Sequence, residues 1–326
     1  MSIGSIILVF ALALSAAGGG VVYAARDTLP GDTLYPVKLS TEQVMMLLPG
    51  DDVMKMERAL TFVERRIREM ETLVERERLQ NLEQAVEEYE HVLERALAWM
   101  EQACSGEQVA ENVTAQVAEA TATHLYVLDK LYDRVPETAR AAIAHAREMS
   151  ENGQQKALLD LAWHNRVRAV EMNLAALEGK LNRIQLRVKA SSVNVQELKD
   201  ALGEFEDTAT FARVIYPIAE EEGLNLTAVA GLVTQATSTH LKILAELYDT
   251  VPEEAKEAVQ NAMEQSFRGY EMVSKLMAQS ETWSEFPGIP TSIRKRMEDI
   301  LGWTDAPKAR MPTGGSSGRG CFGCRR

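Results

Sequence analysis

The stretch THLYVLDKLYDRVPE, Thr123 to Glu137, returns as THLKILAELYDTVPE, Thr239 to Glu253, 116 residues further on. The offset holds without a gap from Ala85–Ser150 against Ala201–Ser266, so that Tyr89 falls on Phe205, Glu90 on Glu206 and Pro136 on Pro252. A repeat of that length is a duplicated supersecondary unit. Inside it, Leu125, Leu128, Leu131, Tyr132 and Val135 are spaced as the buried stripe of an amphipathic helix, and Leu241, Leu244, Leu247, Tyr248 and Val251 copy them. Val135 and Val251 each precede a proline, which disfavours the α conformation and ends the helix there. Pro136 and Pro252 suit the first turn of a following helix, where Glu137 and Glu253 complement its dipole. The repeated unit is therefore a helix, a tight turn and a second helix.

Proline and glycine are sparse between Asp52 and Thr282 and strand-like alternation is absent, so the class is all-α. The expected architecture is two repeated antiparallel helical bundle units joined by a long connecting helix and preceded by an N-terminal membrane or signal helix. By residue number, 1–25 form the signal-anchor or signal peptide and 26–51 a linker with a short helix. Residues 52–150 form the first repeat, 151–200 the connecting helix and a break near Ala190-Ser191-Ser192, and 201–280 the second repeat. A short helix lies within 281–303, and 304–326 is a basic tail expected to be disordered. Two charged helices are expected between Asp52 and Ala103, with a break near Gln80-Asn81, and the helix after Pro136 is expected to run through Asn152-Gly153 into Ala157–Val188. The net charge is −13, and setting aside the +4 of 304–326 leaves −17, which argues against nucleic acid as a partner. Three cysteines, Cys104, Cys321 and Cys324, supply no disulfide framework.

Residues Ile3–Ala25 form an uncharged, almost wholly apolar run long enough to span a bilayer. It reads as a secretory signal ending near Val22-Tyr23-Ala24 or as a retained anchor, and the missing basic n-region favours the anchor. The membrane is then a partner through residues 3–25, with the bulk of the chain extracytoplasmic, or secreted if the run is cleaved. No cysteine follows the run, so a lipid-modified N-terminus is excluded.

Next comes LPGDTLYPVK, with Leu29, Pro30, Gly31, Asp32, Leu34, Tyr35, Pro36 and Lys38 as its marked positions. Pro30-Gly31-Asp32 is turn chemistry, and Ser40-Thr41-Glu42-Gln43 reads as a capping box opening a short helix through Leu48. This motif after an apolar N-terminus, together with the HLxxLxxLYDxVPE corners, resembles the bacterial domain of unknown function 5667 family over most of residues 29–275. The resemblance implies an exported or membrane-anchored protein, and some relatives accompany regulators of extracytoplasmic sigma factors. It implies no reaction.

His124 and His240 occupy equivalent places, which would suit a symmetric two-histidine site. His124, Leu128 and Leu131 share one helical face, so a hydrogen-bonded histidine at the edge of the core is the favoured reading. Glu119 near His124 becomes Gln235 in the second copy, so no carboxylate–histidine pair is duplicated. Glu88-x-x-His91 has the spacing of carboxylate-bridged di-iron bundles, but its counterparts are Glu204 and Asp207 and further glutamates are needed. Tyr132-Asp133 and Tyr248-Asp249 read as helix-end packing and capping. Cys321-Phe322-Gly323-Cys324 is half a ligand set without companions. Asn112-Val113-Thr114 and Asn225-Leu226-Thr227 match glycosylation sequons and read as polar residues near helix starts. Met45, Met46, Met54 and Met56 read as gap fillers.

The expectation is a membrane-anchored, extracytoplasmic helical interaction or scaffold module with no catalytic residues, no cofactor and no metal. Its partner would be a protein of unknown identity, and a homo-oligomer is compatible with the pattern. The alternatives are an accessory of an envelope-stress or sigma-factor signalling system and, least favoured, a metal-binding helical-bundle enzyme. The repeat positions His124, Leu128, Val135 and Pro136, with His240, Leu244, Val251 and Pro252, are expected to build the corners.

Overall fold

The computed structural model describes residues 19–104, 107–189, 194–218, 226–278 and 288–302. Among these residues all regular structure is helical: α1 (Gly19–Ala25), α2 (Tyr35–Met46), α3 (Asp52–Glu75), α4 (Leu82–Ala103), α5 (Glu107–Arg134), α6 (Glu137–His164), α7 (Arg166–Lys189), α8 (Val195–Ile215), α9 (Leu226–Thr250), α10 (Glu253–Ala278) and α11 (Thr291–Leu301). Most of the apolar run 3–25 and the whole tail 304–326, including Cys321 and Cys324, lie outside the described residues. Among those described, no helix is long and apolar enough to cross a membrane.

The first unit holds α1 to α6 and the start of α7, through Ala176. Asp51 starts α3 by accepting the Met54 N–H at 2.8 Å on its side chain, the N-cap arrangement that short oxygen-bearing side chains favour. The face formed by Met56, Ala59, Val63, Ile67, Met70 and Leu73 is buried. The chain leaves α3 through Glu77 at φ 56° and a 3-10 turn at Leu79–Asn81, where the break near Gln80-Asn81 was expected. The hairpin α3–α4 and the hairpin α5–α6 then pack into one four-helix bundle, with α4 against α6 on one side and α3 against α5 on the other.

Helix α2 differs from its expectation. It begins at Tyr35, with Pro36 in the first turn, and the Ser40 and Thr41 hydroxyls donate back to the Pro36 and Val37 carbonyls at 2.8 Å each. Proline has φ pre-set for a helix and lacks only an N–H that the first turn leaves unpaired anyway, so it wins the start over the Ser-Thr-Glu-Gln capping box.

The long connecting helix is also corrected. The helix does run through Asn152-Gly153, but it stops at Asn165 (φ −149°, ψ 84°). The Asn165 side chain accepts the Arg168 N–H at 3.0 Å and so opens α7. The expected connector is thus the end of one helix and the start of another. With that break in place, the duplication contains four helices: α3, α4, α5 and α6 recur in order as α7, α8, α9 and α10. At an offset of 114, Val53, Glu57, Leu60, Glu64 and Val74 fall on Val167, Glu171, Leu174, Glu178 and Val188.

In the second unit the pairings repeat. The Lys180 ammonium donates to the Glu204 carbonyl at 3.2 Å (α7 to α8), and the Gln185 amide to the Glu246 carboxylate at 3.1 Å (α7 to α9). The Arg213 guanidinium donates to the Gln265 carbonyl at 3.3 Å (α8 to α10). Helix α11 closes on this set, with the Gln260 amide donating to the Ile300 carbonyl at 2.9 Å and Arg296 paired with Asp249. The two corners match closely. Val135 N–H bonds Leu131 O at 3.0 Å and Ala139 N–H bonds Pro136 O at 2.9 Å; Val251 N–H bonds Leu247 O at 2.9 Å and Ala255 N–H bonds Pro252 O at 3.0 Å.

Candidate functional site

Three features gather the polar chemistry of the first unit. The first is built by LPGDTLYPVK. Gly31 takes φ +85°, a conformation open to glycine at little cost. Asp32 accepts the Leu29 N–H at 2.8 Å, and that bond, more than the neighbouring Arg78, holds its carboxyl below the usual range. Arg78 pairs with Asp32 at 2.9 Å and donates to the Pro30 carbonyl at 2.7 Å, tying the turn to the end of α3.

One turn further on, Tyr35, Lys38 and Glu42 are buried against Arg66 and Glu69 of α3. The Lys38 ammonium donates to the Thr28 carbonyl at 2.8 Å and lies 2.5 Å from Glu69 Oε1. That second contact is a buried ion pair. Tyr35 donates to Glu69 Oε2 at 3.1 Å. Arg66, fully buried, donates to Tyr35 Oη at 2.5 Å, to Glu69 Oε2 at 2.8 Å and to Glu42. Arg65 pairs with the other Glu42 oxygen from the rim. Lys38 and Arg66 balance Glu42 and Glu69, so the buried set is neutral as a whole. Burial lifts the Glu69 carboxyl against the pull of Arg66 and Lys38. Burial works to lower the Arg66 guanidinium, but Glu69 and Glu42 outweigh it and raise it. The family motif therefore acts as an ionic clasp that fastens the segment after residue 25 onto α3.

The second feature is duplicated. Tyr89 Oη lies 2.6 Å from Ser150 Oγ and 3.4 Å from His124 Nδ1, and its ring meets the His124 ring edge-on at 5.8 Å. In the copy, Phe205 meets His240 edge-on at 5.6 Å, and Ser266 Oγ, lacking a tyrosine partner, stands 3.4 Å from His240 Nδ1. Burial pushes both imidazoles down to about 4, so both are neutral at physiological pH and serve as core groups. Leu128, Val135, Leu244 and Val251 are buried further along the same two corners.

The third feature was not read from the sequence. The seam between α3 and α5 stays open as two adjoining cavities of about 370 and 470 Å³ that share Glu57, Gln116 and Glu119. Only the pairing of α3 with α5 creates it, and each glutamate alone looks like ordinary solvated helix surface.

The remaining candidates disperse. His91 is exposed and Glu88 half-buried, while His145 pairs with Glu90 at 3.1 Å. No group of three or more His, Cys, Asp or Glu side chains among the described residues is placed to hold a metal ion. Asn112 is exposed within α5, Asn225 lies outside the described residues, and Met56 fills the core while Met45 and Met54 are exposed.

No curated protein matches the chain. A solved structure from the computational design of self-assembling cyclic protein homooligomers aligns with a TM-score of 0.59 at 14% identity, covering 77% of this chain and 96% of its own. At that identity the likeness shows the fold alone. The clasp, helices α3 to α5 and the first corner fall within residues 27–138, the stretch that matches the family described as Domain of unknown function (DUF5667).

Proposed function

We propose that the protein is a membrane-anchored, extracytoplasmic helical module that works by binding a protein partner rather than by catalysing a reaction. The observation that carries this reading is where the family motif goes. Its turn, tyrosine and lysine are consumed in a buried clasp that joins the segment following the apolar run 3–25 to the bundle. A bundle attached to a bilayer needs such a fixed joint, and a run of that length and apolarity supports the anchor. The duplicated histidines likewise support contact over chemistry, because they are spent on packing and internal hydrogen bonds. The acidic balance of −13 turns the partner away from nucleic acid.

The test is in-cell crosslinking of the tagged chain, with carbonate extraction of membranes and identification of partners by mass spectrometry. Pelleting with the membrane and recovery of envelope proteins is the expected outcome. A membrane-embedded regulator among them would give the signalling-accessory reading precedence. Self-crosslinks alone would leave a homo-oligomeric structural protein. A soluble chain with no partner would refute the reading.

A further inference from the structure

The seam between α3 and α5 is open, with two adjoining cavities along it. Along α3 it is lined from Val53 to Glu64, and along α5 from Val109 to His124. At 1.5 Å per residue those stretches run roughly 16 and 22 Å, three to four turns of a guest helix. The groove is lined by both kinds of side chain: Leu60, Ala120 and the buried Val113 give it apolar patches between Thr61, Gln116 and Thr123. Glu57, Glu64 and Glu119 stand exposed along it. Glu64 pairs with Arg68 at the surface, while Glu57 and Glu119 make no ion pair with other described residues. Exposed Val109 and half-buried Val53 line one end.

We propose that this groove seats a basic amphipathic helix of a partner protein, its apolar stripe on Leu60 and Ala120 and its lysines or arginines opposite Glu57, Glu64 and Glu119. A channel between two helices that offers apolar patches flanked by charge is a geometry that binds amphipathic helices through anchors at i, i+3/i+4 and i+7. The carboxylates along it set the sign of the guest's flanks and reject acidic helices. Arg168, which lines the far end beside Glu57 and Glu119 and pairs with Glu111 at 3.4 Å, disfavours a lysine there and so fixes which way the guest lies. The proposal rests on the interaction-module reading and names its site and partner chemistry.

The experiment uses the full chain in detergent and two labelled, stapled peptides of about 14 residues, three to four turns long. One carries leucines on a helical stripe flanked by lysines; the other has every lysine replaced by glutamate. Fluorescence anisotropy should show the lysine peptide binding about tenfold or more tighter, as two or three partly exposed ion pairs imply. In the double variant Glu57→Lys/Glu119→Lys the preference should invert, with an unchanged melting curve as the folding control. The variant Glu57→Gln/Glu119→Gln should flatten it. Equal binding of both peptides, no binding of the lysine peptide, or a preference that survives charge reversal overturns the proposal. In-cell crosslinking of the same charge-reversed chain separates the two readings: partners retained unchanged would refute the groove and leave the interaction module standing, whereas no partner even for the wild type would refute the module.

Discussion

Arg66 and Arg68 stand two residues apart on α3 and should behave as opposites. Arg66 is fully buried and is the shared cation of Glu42, Glu69 and the Tyr35 hydroxyl. Arg68 pairs with Glu64 at the surface, with the two side chains 69% and 56% exposed. Arg66→Met leaves two buried carboxylates short of their common partner, a loss typically worth 3–5 kcal/mol. Lys38 stays beside Glu69 and Arg65 beside Glu42, so the lower end, about 3 kcal/mol, is expected. Arg68→Met should cost at most about 0.5 kcal/mol. For a unit of this size about 3 kcal/mol lowers Tm by roughly 6–12 °C. Thermal melts of the full chain, with hydrogen exchange of peptides spanning residues 52–75 to localise the loss, measure both. Replacing the whole set by apolar residues, Glu42→Leu/Arg66→Met/Glu69→Met, should recover much of the stability, because the penalty lies in the unpaired charges. Equal costs for the two arginine variants would refute the clasp as the joint that holds the N-terminal segment.

Other outcomes follow from the same contacts. His124 and His240 hold pKa values near 4 against an ordinary 6.5; between those values the unfolded chain binds more protons, so stability falls as pH drops from 7 to 4, by on the order of 3 kcal/mol for each histidine. Comparing melts of wild type and His124→Asn at pH 7 and pH 4.5 isolates that term, and an identical pH slope in both would contradict it. Tyr89→Phe should cost only about 1 kcal/mol, since Ser266 and His240 already show the arrangement that remains without the hydroxyl; urea titration reads it, and a loss above about 3 kcal/mol would mean the two sites are not equivalent. Gly31→Ala meets both a positive φ and the Asn81 side chain 2.6 Å from the added carbon, so a loss of about 1–2 kcal/mol is expected, and a neutral melt would show that the turn relaxes freely.

The corners were legible because a stripe at helical spacing followed by Val-Pro is a local signal that needs no knowledge of the partner helix. Helix ends at 134 and 137 recur at 250 and 253 for that reason. The fourth pair of duplicated helices was hidden by a shift from 116 to 114 between two stretches of the alignment, which an ungapped comparison cannot cross. The stop at Asn165 was hidden because neither glycine nor proline marks it. The clasp was half visible: the motif could be quoted, but its partners Arg66, Glu69 and Arg78 lie 31 to 48 residues away in sequence, on an ordinary-looking charged helix and just past its end. The groove was invisible, since it is a property of spacing between α3 and α5 and of neither helix alone.

The two copies diverge where the clasp sits, and that divergence bears on what the duplication is for. At the offset of 114, Arg66 becomes Lys180 and Glu69 becomes Arg183. Lys180 donates to the Glu204 carbonyl. With a cation in place of Glu69, the second copy has no acceptor for a lysine and tyrosine arriving from an LPGD segment, and a second clasp there would bury like charges together. The histidine cores were kept in both copies, down to the edge-on ring and the serine, so the bundle's internal packing was conserved between the copies while its outward attachment was not. The family match, residues 27–138, takes in the clasp and the first three helices of the first bundle. The first four helices hold the N-terminal joint, and the second four reuse the scaffold without it.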